Sequence, residues 1–86
     1  MLTLEFTIEP FVEGQPGPHV LSAVSAVEAL GLEVEFGPFG SSVRVDALQV
    51  GAAAAAIFAA AFANGANHVT LSAGRDRDDS AAVSAL

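Results

Sequence analysis

The first nine residues constrain the fold more than any other part of this chain. Leu2, Leu4, Phe6 and Ile8 alternate with Thr3, Glu5, Thr7 and Glu9. Only an extended strand turns that period of two into one apolar and one polar face. The same period returns three times. Leu32, Val34 and Phe36 oppose Glu33 and Glu35, Ser41, Val43 and Val45 oppose Ser42 and Arg44, and residues 68–73 (HVTLSA) alternate again. Between the second and third runs Gly37-Pro38-Phe39-Gly40 makes a hairpin whose loop exceeds two residues.

Two stretches change the period. After a loop with three prolines and two glycines (residues 10–18), Pro18 suits the first position of a helix. Val20, Val24, Val27 and Leu30 then recur at helical spacing with Leu21 beside them, and Gly31 supplies a C-terminal cap. Asp46, with Gln49 three residues on, resembles a capping box and predicts the second helix start. That helix is expected to present Val50, Ala54, Ile57, Phe58, Ala61 and Phe62 on one stripe and to stop at Asn64-Gly65.

The order is βαββαβ. Two right-handed βαβ halves give an α+β, ferredoxin-like sandwich: a four-stranded antiparallel sheet with both helices on one face. Residues 1–79 form one domain, since 86 residues are too few for two cores. Residues 80–86 are a tail, either disordered or packed at an interface. The outer sheet face gathers Thr3, Glu5, Thr7, Glu9, Glu33, Glu35, Ser42, Arg44, His68, Thr70 and Ser72, a polar and net acidic surface.

Composition excludes several partners. Ten acids against three bases, none of them lysine, give a formal net charge of −7, the wrong sign for neutralising phosphates, so nucleic acid is not expected. Without cysteine there are no disulfides, thiolate metal sites or cysteine nucleophiles. The charge-free segment VGAAAAAIFAAAFA is 14 residues long, short of the roughly 20 that cross a bilayer, and no membrane contact is expected. With no basic segment near Met1, the cytoplasm is the expected compartment.

Catalytic constellations are weak. Glu5 and Glu9 lie about 13 Å apart along a strand at about 3.3 Å per residue, too far for a coupled acid–base pair. Glu33 and Glu35 sit on a sheet edge, where water screens them. His19 and His68 have no second ligand at metal spacing. No metal site, cofactor or catalytic residue is therefore expected. The loops after the first two strands bring Glu9, Phe11, Phe39, Gly40, Ser41 and Ser42 within reach of one another. Aromatic rings there can stack on a flat heterocycle or contact a cation. Alternatively, Phe11 and Phe39 only cap the core edge and the serines only shape a turn.

The same segments carry a family resemblance. Residues 4–12 (LEFTIEPFV), 34–46 (VEFGPFGSSVRVD) and 67–79 (NHVTLSAGRDRDD) resemble the YkoF-like thiamine-binding family. Members of that family show a first strand ending in proline, a Pro-x-Gly-Thr/Ser-Thr turn and a closing strand followed by an Asp/Arg-rich segment. Ala73-Gly74 departs from the usual closing strand. The resemblance implies non-enzymatic binding of thiamine or its hydroxymethylpyrimidine part, in vitamin B1 carriage, salvage or sensing. It also implies self-association to a dimer or tetramer through the sheets. The matching ligand-binding positions are Thr7, Glu9, Gly40, Ser41, Ser42 and Ser72, with Phe39 beside them in the hairpin. A different class of function is a regulatory or structural homo-oligomer whose sheet face binds another protein. Self-association has separate support, because residues 47–74 contain no Asp, Glu, Lys or Arg and leave the second helix no charged face for water.

Overall fold

The computed structural model describes residues 1–10, 16–37 and 40–76. Its elements are β1 (Leu2–Glu9), α1 (Pro18–Glu28), β2 (Val34–Gly37), β3 (Gly40–Val45), α2 (Val50–Ala63) and β4 (His68–Arg75). The four strands form one antiparallel sheet in the order β2-β3-β1-β4. This is the α+β, ferredoxin-like arrangement that the alternating runs predict. The tail at 80–86 lies outside the described residues, as do Phe11 and Phe39.

Register follows from the alternation. Leu4 of β1 sits opposite Val43, and Leu2 opposite Val45, so the apolar sets of the two central strands share a face. Leu4, Phe6, Ile8, Val43 and Val45 are buried there with Ala23, Val24 and Val27 of α1 and Ala53, Ile57 and Ala61 of α2. Burying these side chains removes them from water at roughly 25 cal/mol per Å² of apolar surface.

Local signals account for the helix ends. Gly17 accepts the first helical N–H bonds, from Val20 and Leu21 at 3.0 Å, and Pro18 follows it. Gly31 leaves the end of α1 at a φ of +84°, a conformation that costs glycine little. At the end of α2, Gly65 takes a φ of +103° and Ala66 donates to the Ala61 carbonyl at 3.0 Å, the long bond of a Schellman end.

Three expectations change. The hairpin loop does not exceed two residues: β2 and β3 stay paired up to Gly37 and Gly40, because both glycines join the ladder. The α2 helix begins at Val50, not at Asp46. The Asp46 carboxylate instead accepts the Leu48 and Gln49 N–H groups, both at 2.9 Å, and caps the turn that precedes the helix. Phe58 and Phe62 also leave the buried stripe: they are 39% and 53% exposed, while Ala53, Ile57 and Ala61 face inward. The physical reason is the alanine content. An almost uniformly apolar helix has no polar face to orient it, and the small residues let α2 lie closely along α1.

No helix among the described residues is long and apolar enough to cross a membrane.

Candidate functional site

The polar residues of the sheet fall into rows, because each strand pairing brings residues of the same parity side by side. In one row Thr3 lies between Arg44 of β3 and Gly74 of β4. In the next, Glu5 lies between Ser42 and Ser72, with Glu35 of β2 beyond Ser42. Thr7 then pairs with Thr70, and Glu9 with His68.

A cleft of about 340 Å³ opens over the middle rows. Glu5, Thr7, Ser42, Thr70 and Ser72 line it with side chains of the open face, and Gly37 and Gly40 form its wall at the hairpin. Phe6 and Ser41 border it along the strands. They face each other across β1 and β3, and both are buried on the helix side. Among the described lining residues, Glu5 is the one acidic or basic side chain.

Gly40 shapes this wall by being small. A Cβ there would stand 2.8 Å from the Thr7 hydroxyl oxygen and 2.9 Å from the Phe6 carbonyl oxygen. Only glycine admits the hairpin so close to β1.

Of the residues expected to bind a ligand, Thr7, Gly40, Ser41, Ser42 and Ser72 come together around the cleft. Glu9 lies one row further, opposite His68, and does not line it. Phe39 falls outside the described residues. Glu5, Thr70 and Gly37 line the cleft although the motif comparison did not single them out. Pairing Glu5 with both Ser42 and Ser72 was the signal that would have found the first of them.

Beside the cleft, an ion pair closes the first row. Arg44 Nε donates to Asp76 Oδ2 at 2.8 Å, Nη2 donates to the same oxygen, and the Thr3 hydroxyl donates to Oδ1. The Thr3 hydrogen bond, with Arg44 adding to it, holds the Asp76 carboxyl below its ordinary value of 3.8, against the opposing effect of desolvation. A lowered carboxyl pKa adds stability that is present above 3.8 and is lost as pH falls through the lowered value. Asp76→Asn is therefore expected to flatten the acid limb of the stability profile below about pH 4. Urea titrations of both proteins across that window check this, and parallel profiles would refute it.

His19 is structural in this fold. It is 8% exposed, and its Nε2–H donates to the Pro10 carbonyl at 2.7 Å, tying the start of α1 to the end of β1. Among the described residues no group of three or more His, Cys, Asp or Glu side chains is placed to hold a metal ion.

No protein-family profile matches the chain. No curated protein matches it either. Solved structures do. The hypothetical protein MJ1052 from Methanocaldococcus jannascii is 20% identical, with a TM-score of 0.57 over 99% of this chain and 97% of its own. A domain of unknown function, DUF77, from Bacillus cereus is 21% identical, with a TM-score of 0.50 over 85% of this chain and 71% of its own. The chain shares their fold. At these identities the likeness is one of α+β architecture, and the chemistry of the cleft lies in this chain's own residues.

Proposed function

We propose that the open sheet face binds a small, flat heterocycle, the thiamine cation or its neutral hydroxymethylpyrimidine part, without catalysis, in carriage, salvage or sensing of vitamin B1. The observation that carries this reading is the cleft's composition: the Glu5 carboxylate, flanked by the hydroxyls of Ser42 and Ser72 and facing a wall of glycine. A carboxylate answers the positive ring, hydroxyls serve the polar edge of a pyrimidine, and glycines let a flat ring approach the backbone. The volume of about 340 Å³ lies at the small end of ligand sites. The motif resemblance in residues 4–12, 34–46 and 67–79 supports the same class of ligand.

Glu5 takes the place that the motif comparison gave to Glu9, since Glu5 faces the cleft. The chain's excess of acid, −7 overall, favours approach of a cation.

Thermal denaturation with thiamine, hydroxymethylpyrimidine and thiamine phosphates tests the proposal. A ligand at a hundred times its dissociation constant stabilises by about 2.7 kcal/mol, a midpoint shift on the order of 10 °C for a domain of this size. No shift with any of them at millimolar concentration would sink the assignment. Light scattering of the same samples measures the proposed dimer or tetramer.

The second reading is a homo-oligomer whose sheet face binds another protein. It is favoured by the exposed Phe58 and Phe62 on a helix with no charged residue, a face that self-association would cover.

A further inference from the structure

We infer that Asp76 sets the charge selectivity of the cleft: by holding the Arg44 guanidinium, it leaves Glu5 as the charge a ligand meets, so the cleft takes the unphosphorylated cation and turns away its phosphate esters. The inference rests on the thiamine-type reading of the cleft and deepens it.

Arg44 stands two residues from Ser42 on the same face of β3, so it is about 7 Å from the cleft wall along the strand. That is within reach of a phosphate carried on a ligand's side arm. The arginine is turned elsewhere. Its guanidinium crosses β1 over Thr3 to reach the carboxylate that follows β4. Asp76 is itself fixed at three points. Its N–H donates to the Met1 carbonyl at 3.1 Å, the Thr3 hydroxyl holds one carboxylate oxygen, and Arg44 holds the other. The Asp76 side chain is 12% exposed against 68% for Arg44. The carboxylate is thus the anchored partner, and the guanidinium is the one drawn to it.

A second positive charge near this row, the Met1 ammonium, also acts on Asp76, and the charges bordering the cleft rows are acidic. Glu35 lies beyond Ser42, and Glu9 lies opposite His68 one row past the cleft. Arg75 pairs with Leu2 and so belongs to the helix side of the sheet, and Arg77 falls outside the described residues. A phosphate ester entering the cleft meets Glu5 and an arginine whose charge is already answered. A cationic ring meets Glu5 as an attracting charge.

Calorimetric titration of the full chain with thiamine and with thiamine monophosphate separates the possibilities. The unaltered protein is expected to prefer thiamine by about tenfold or more, a factor that one unanswered charge at this range supplies. Asp76→Asn frees Arg44 and is expected to tighten monophosphate binding about tenfold, closing most of that gap. The double variant Asp76→Asn/Arg44→Gln should restore the original preference, because the released cation is gone. Thr3→Val keeps both charges but loosens the carboxylate, and should act in the same direction as Asp76→Asn with a smaller effect. It serves where Asp76→Asn fails to fold. Raised salt should narrow the preference, since Arg44 is exposed to solvent. Equal binding of the two ligands by the unaltered protein, or an unchanged ratio in a folded Asp76→Asn, overturns the inference while the cleft reading stands. Failure of thiamine and hydroxymethylpyrimidine alike to bind overturns the cleft reading, and failure of thiamine alone overturns the selectivity.

Discussion

Gly40→Val is expected to abolish detectable binding of thiamine-type ligands and to destabilise the domain by about 1–3 kcal/mol. Even a single added carbon at this position stands 2.9 Å from the Phe6 carbonyl oxygen and 2.8 Å from the Thr7 hydroxyl oxygen. The hydroxyl can rotate away. The carbonyl is backbone of the central strand and cannot move without disturbing the pairing of Phe6 with Ser41 and Leu71. Strain is therefore relieved by pushing the hairpin off β1, which opens the wall of the cleft. Gly51→Ala is the matched control. It lies inside α2 with nothing within 4 Å of the added carbon, so it should raise stability by up to about 1 kcal/mol through helix propensity alone. Chemical denaturation with ligand titration of both variants checks the pair. Tight binding by a folded Gly40→Val protein would show that the hairpin wall plays no part in the site.

Ile57→Ala is expected to cost about 2–5 kcal/mol, because the side chain is fully buried and its removal leaves a cavity between helix and sheet. For a domain of this size that is a fall in melting temperature of at least about 10 °C. Phe62, five residues further along the same helix, is 53% exposed. Its change to alanine in the free subunit should stay within about 0.5 kcal/mol. The contrast reads out which face of α2 is buried. A loss at Phe62→Ala that grows with protein concentration would identify that residue as covered by a second copy, since only association makes such a cost depend on concentration.

The legibility of this molecule from its sequence divides along a physical line. Period-two alternation is a property of the extended backbone itself, so β1 reads over Leu2–Glu9 with the bounds the structure has. The glycines at 31 and 65 announce the helix ends because few other residues adopt a positive φ without cost. The α2 face was not legible in the same way. Phe58 and Ile57 are neighbours in a helix that is apolar all round, and nothing in such a sequence says which of them points inward. The small side chains of Ala53 and Ala61 decide it, because they let Ile57 fill the gap against the sheet while the bulkier phenylalanines remain outside.

The candidate site shows the same division. Hydroxyls and glycines around residues 40–42 were evident as a turn with polar neighbours. The carboxylate that joins them was not evident, because Glu5 and Glu9 carry the same chemistry on the same face of the same strand. Register separates them: Glu5 meets Ser42 and Ser72, and Glu9 meets His68. The hold of Asp76 on Arg44 is more remote still, a contact across 32 residues of sequence with Thr3 between the two strands. By itself the sequence determined the elements, their order and the polarity of each sheet face, since these follow from local backbone geometry and the cost of burying charge. Only the tertiary structure decided which acid shares the cleft and which arginine is neutralised beside it, because those contacts depend on how distant strands align.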